Sequence, residues 1–139
     1  MKPGREAALR WLRQAEHDLA IARGHRQRGD YSAACFMAEQ AAQKALKAFL
    51  IGHGHRSVPS HSVAQPAERC AQLDPAFAVH MTAGRVLDQY YIPTRYPDAP
   101  APPAVPFESY TQEQGTTAVA AAPAIVALVT QHLRPPAER

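Results

Sequence analysis

Along residues 5–28 the apolar positions Ala8, Trp11, Leu12, Ala15, Leu19 and Ala22 recur at steps of three and four. This spacing lays one stripe along an amphipathic helix, with Arg10, Arg13, Gln14, His17 and Asp18 on the solvated side. Gly29-Asp30 breaks the pattern, the glycine read as a C-terminal cap and Asp30 as the N-cap of the next helix. That second helix is predicted over residues 31–51, where Tyr31, Ala34, Cys35, Ala38, Ala41, Ala42, Ala45, Ala48 and Phe49 form a broad face. Most of these side chains are small, so another helix can approach closely and this element is expected to be central.

Gly52-His53-Gly54-His55 ends the second helix, and residues 56–60 read as a loop. A third helix is predicted over residues 62–73, with Pro66 tolerable only near its first turn. Asp74-Pro75 separates it from a fourth, over residues 76–91, whose Phe77, Met81, Val86, Leu87 and Tyr90 are candidate core residues. Six of the 13 prolines fall in residues 92–108, which excludes helix or sheet interior there and predicts a long loop before the last helix. That helix is expected over residues 111–133, opened by a capping box from Thr111 to Gln114, with Gly115 and Pro123 disturbing its regularity. Trp11, Leu19, Phe36, Phe49 and Leu87 are expected to be buried.

Composition supports the same picture. The 139 residues amount to one domain, and 46% hydrophobic with 19% charged residues exclude a disordered chain. Alanine occupies 28 positions while aromatics make up only 7%, so β-sheet formers are scarce and an all-α fold is favoured. Cys35 and Cys70 stand far apart with no CxxC spacing, so each reads as a small core residue and not as half of a disulfide. The charged opening residues do not read as a secretory leader. The apolar run over residues 118–129 is shorter than the ~20 residues of a membrane span. A cytoplasmic protein with no membrane association is therefore expected. The net charge of +3 permits contact with phosphates without requiring it.

The histidines His53, His55 and His61 gather around one loop, but no zinc-ligand spacing is present and no acid or cysteine lies between them, so solvated histidines are expected and no metal. Gly-x-Ser-x-Gly, Walker and Gly-x-Gly-x-x-Gly motifs are all absent. Two features carry chemistry. Gln40, Lys44 and Lys47 share one face of the second helix, where two ammonium groups could hold a phosphate or a carboxylate, or simply face solvent. Tyr90-Tyr91-Ile92-Pro93-Thr94-Arg95-Tyr96-Pro97-Asp98 then sets a guanidinium fork suited to phosphate among rings that could stack on a base. The alternative is that the tyrosines cover the core while Arg95 pairs with Asp98 or Asp88.

The run Trp11, Ala15, Asp18-Leu19, Ala22, Tyr31, Ala34, Phe36, Gln40-Ala41, Lys44-Ala45, Lys47-Ala48, His61, Leu87, Tyr91-Ile92 and Arg95-Tyr96-Pro97-Asp98 resembles the HEPN family, the higher eukaryotes and prokaryotes nucleotide-binding domain. The resemblance covers nearly the whole chain in order, and the Arg-Tyr-Pro-Asp block is its most specific part. It implies a single domain over residues 1–139, an antiparallel bundle of four to five helices, homodimerisation, and a nucleotide-linked role, often beside a small nucleotidyltransferase. Many HEPN proteins are metal-independent ribonucleases that use an Arg and a following His separated by four to six intervening residues. Here no histidine follows Arg95 in range, although Arg56 with His61 and Arg10 with His17 satisfy the spacing elsewhere. Gln43 also stands where family members often carry Glu. The resemblance therefore implies a non-catalytic nucleotide-binding or nucleotidyltransferase-accessory protein that needs no cofactor. Its phosphate would lie at Lys44, Lys47 or Arg95, its base on Tyr91 or Tyr96, with Gln40 and Asp98 alongside. The alternatives are an RNA endonuclease of toxin type using His61, and a dimer that only binds a protein.

Overall fold

The computed structural model describes residues 3–55, 58, 60–91 and 93–135. The first helix, α1 (Pro3–Arg28), follows its stripe: Ala8, Leu12, Ala15, Leu19 and Ala22 are all buried. Gly29 takes a φ of 82°, the left-handed conformation that ends a helix without a Cβ clash. The chain reverses at once into α2 (Tyr31–Gly52). Asp30 does not cap α2 with its side chain; that carboxylate lies 3.5 Å from both His25 Nδ1 and Arg28 Nε at the end of α1.

The alanine-rich face of α2 makes it the centre of the molecule, touching α1, α5 (Gln112–Leu133), α3 (Ala64–Leu73) and α4 (Met81–Asp88). Contacts between Lys44 and Asp18 and between Lys47 and Trp11 show that α1 and α2 run antiparallel. Tyr31 lies against Gly115, and Gly52 against Leu133, so α5 runs parallel to α2 and antiparallel to α1. The intervening segment makes this possible by carrying the chain back along the bundle.

That segment starts with α3, whose Cys70 packs its thiol toward the Leu46 carbonyl of α2. Both cysteines are free and buried, and burial pushes each thiol up to about 12. The predicted fourth helix divides into a 3-10 helix (Pro75–His80) and α4. Asp74 caps the 3-10 helix by accepting from Ala76 N, and Pro75 fits its first turn. The proline-rich stretch contributes only the short 3-10 helix Pro106–Glu108 before Thr111 and Gln114 form the predicted capping box. No strand occurs among the described residues.

Two expectations of burial are corrected. Trp11 is 38% exposed, and Phe36 is half-buried, whereas Leu19, Phe49 and Leu87 are buried as expected. α5, predicted over residues 111–133, spans the 22 residues Gln112–Leu133. By length and composition it is apolar enough to cross a membrane, and it packs against α1 and α2.

Candidate functional site

The turn after α4 places Arg95 on the flank of α2. Thr94 is buried, with its hydroxyl donating 2.7 Å to the Tyr90 carbonyl, and Arg95 Nε donates 2.9 Å to the Tyr91 carbonyl. These two bonds fix the direction of the guanidinium. Its Cζ lies 4.5 Å from the centre of the Phe36 ring and 4.8 Å from those of Tyr91 and Tyr96. Three rings thus surround one cation, each offering its negative face. Since Nε is engaged, both terminal nitrogens remain for a bidentate acceptor. Among the described residues Arg95 has no carboxylate ion pair, and the exposed Asp98 side chain makes neither a hydrogen bond nor an ion pair.

Asp88 serves another purpose. It accepts from Ser62 Oγ at 2.9 Å, from Ala64 N at 3.2 Å and from Val63 N, capping the start of α3. His61, just before that cap, stacks on Tyr91 with ring centres 5.1 Å apart, its Nδ1 3.3 Å from the tyrosine oxygen. An imidazole absent from the sequence after Arg95 therefore enters the same cluster through space. Arg56 lies outside the described residues, as does Ile92. The other loop histidines diverge: His53 packs against Phe49, while His55 Nδ1 lies 2.8 Å from Arg69.

Gln40, Lys44 and Lys47 do share a side of α2, but Arg95 rests on Phe36, eight residues and ~12 Å along the axis from Lys44. Lys44 Nζ lies 2.6 Å from Asp18, a buried carboxylate that also accepts from Gln14. Lys47 is buried with its ammonium 5.7 Å from the centre of the Trp11 indole. Burial lowers its pKa, with Glu39 opposing that shift. Glu39 was not anticipated. It is fully buried and accepts 2.8 Å from Gln40 and 2.7 Å from Gln43, so Gln43 orients a carboxylate instead of supplying one. Burial is the main reason its carboxyl is raised to about 7. The sequence held one signal for it: Cys35, Glu39, Gln43 and Lys47 form an i, i+4 row on a helix buried almost all round.

The HEPN domain profile matches residues 8–133, a span that takes in α2 and the Arg-Tyr-Pro-Asp turn. The chain belongs to the HEPN family. It is similar to TT1696 from Thermus thermophilus, with 38% identity, a TM-score of 0.78, and coverage of 89% of this chain and 96% of that one. It is also similar to ST0689, an archaeal HEPN homologue, at 32% identity and a TM-score of 0.73, covering 96% and 99% of the two chains. No curated protein matches the sequence.

Proposed function

We propose that this HEPN protein binds a nucleotide without cleaving it, at the ring-lined Arg95. The observation that carries the reading is a guanidinium oriented by Tyr91, bordered by Phe36, Tyr91 and Tyr96, and given no carboxylate among the described residues. A phosphate would take the two terminal nitrogens. A base would stack on Tyr96, which is 47% exposed. The reading is of a cytoplasmic homodimer that works beside a small nucleotidyltransferase, and light scattering well above the 15.1 kDa of one chain would support the dimer. Calorimetric titration with nucleoside mono- and triphosphates tests the site. Arg95→Ala should weaken binding by about 1.5–3 kcal/mol, the worth of hydrogen bonds to a charged group. A wild type that binds no nucleotide, with an Arg95→Ala variant that melts early, would make the cluster purely structural.

The contact of both His61 and Arg95 with Tyr91 favours a second reading, RNA cleavage with His61 as general acid or base. On the first reading the purified protein leaves RNA intact. Cleavage that His61→Ala abolishes, with the fold unchanged, would establish the second.

A further inference from the structure

A groove of about 620 Å³ lies between α1 and α2, and none of the rings around Arg95 lines it. Arg10, Trp11, Arg13, Gln14 and His17 form its α1 side, and Lys44 closes it from α2. Its volume falls within the range of small-molecule sites. Its charge is one-sided. Asp18, the carboxylate that holds two of its lining residues, is 2% exposed and has both oxygens engaged, one by Gln14 at 2.9 Å and one by Lys44 at 2.6 Å. Of the acids nearby on α1, Glu16 is held by Arg134 at 2.9 Å, and Glu6 pairs with neither Arg10 nor Arg13. Among the described residues Arg10 and Arg13 have no ion pair, so two guanidinium forks border the groove uncompensated.

The nitrogen donors are also arranged in a line. Arg10, Arg13 and His17 follow at steps of three and four on one side of α1, a row ~10 Å long. One phosphate could meet only part of it. Lys44, held by Asp18, keeps two of its three N–H donors for a further oxygen. Trp11 makes the wall, with the ammonium of the buried Lys47 5.7 Å from its ring centre. We infer that this groove is a second anion site, separate from Arg95, that takes a linear oligophosphate of two or more linked phosphates. The chain would lie along Arg10, Arg13 and His17 with one end at Lys44. Free tripolyphosphate and the tail of a nucleoside triphosphate share this chemistry.

Trp11 is the single tryptophan, so its fluorescence reports on this groove and on no other place in the molecule. Tripolyphosphate is titrated into the full chain carrying Arg95→Ala, which removes the proposed nucleotide site, and fluorescence and calorimetry are read together. The expected result is saturable binding with a change in Trp11 emission, at least tenfold tighter than orthophosphate. Adding Arg10→Ala and Arg13→Ala should weaken it at least tenfold, and because both side chains are exposed the far-ultraviolet circular dichroism should not change. A parallel titration with ATP identifies the source. Tighter binding than tripolyphosphate marks a nucleotide tail, and equal or weaker binding marks the phosphate chain alone. The inference is overturned if tripolyphosphate fails to bind, or if the double arginine variant binds it as well as its parent. Loss of tripolyphosphate binding on Arg95→Ala alone would also overturn it, by returning the anion to the Arg95 cluster.

Discussion

Arg95 lies with its guanidinium carbon 4.5 Å from the centre of the Phe36 ring, which joins the turn after α4 to the flank of α2. The contact ties a proline-rich segment, with few hydrogen bonds of its own, to the most buried helix. Phe36→Leu keeps most of the apolar contact and removes the aromatic face. We expect a loss of about 0.5–1 kcal/mol, the worth of a cation–π contact at an exposed site. Urea denaturation of Phe36→Leu in wild-type and Arg95→Ala backgrounds measures it. If the loss is the same in both backgrounds, the ring does not hold the arginine.

The cap at Asp88 sets the position of His61. With Asp88 removed, Val63 N and Ala64 N at the start of α3 lose their acceptor, and Ser62 loses the partner of its hydroxyl. Asp88→Ala should cost about 1–2 kcal/mol, as N-cap replacements by alanine do. Asp88→Asn keeps one acceptor and should cost less. The chemical shifts of the His61 ring should move in Asp88→Ala, because Tyr91 and α3 would no longer be held together at that point.

Much of the fold was legible in the sequence because its signals are local. The stripe Ala8, Leu12, Ala15, Leu19, Ala22 and the Gly29 stop define α1, and the Thr111–Gln114 box starts α5. Trp11 misled because its size outweighed its register: it falls one position off that stripe and so stands at the edge of a groove. The division of the fourth helix came from Asp74-Pro75, which starts a 3-10 turn tied to its own cap. In the candidate site, Tyr91, Arg95 and Tyr96 adjoin in sequence and could be seen together. Phe36 and His61 could not be added, since only the fold brings α2 and the start of α3 to them. Lys44 and Lys47 looked alike on one helix face, yet tertiary contacts separate them, with one paired to a buried acid and the other buried under an indole.

Gly115 shows a sequence feature whose reason is tertiary. It lies in the first turn of α5, where alanine is ordinarily the better helix former by about 1 kcal/mol. A Cβ added there would meet Tyr31 Cδ1 at 2.9 Å, and that atom sits close to the ring's attachment, where little movement is available. Gly115→Ala should therefore destabilise, by about 1–3 kcal/mol, as overpacking does. Thermal denaturation of Gly115→Ala, Tyr31→Ala and the double variant forms a cycle. A double variant more stable than the sum of the singles predicts is the signature of the close approach; strict additivity would contradict it.

Glu39 should make the protein less stable as pH rises. Its carboxyl is raised from 4.5 to about 7, chiefly by burial and further by Asp88, while Gln40, Gln43 and Lys47 act in the other direction. Between these values the folded chain keeps a proton that the unfolded chain has released. Stability therefore falls with increasing pH across that window, and the full penalty is present above it. The shift corresponds to about 3 kcal/mol at most, at 1.36 kcal/mol per unit. Glu39→Gln preserves the shape and, by turning one amide, the hydrogen bonds to Gln40 and Gln43. The variant should be close to the wild type in stability at pH 4.5 and more stable at pH 8, which urea denaturation at the two values would measure. An equal pH dependence in both proteins would mean that Glu39 is ionised in the fold throughout, held by Lys47, and that burial does not govern its titration.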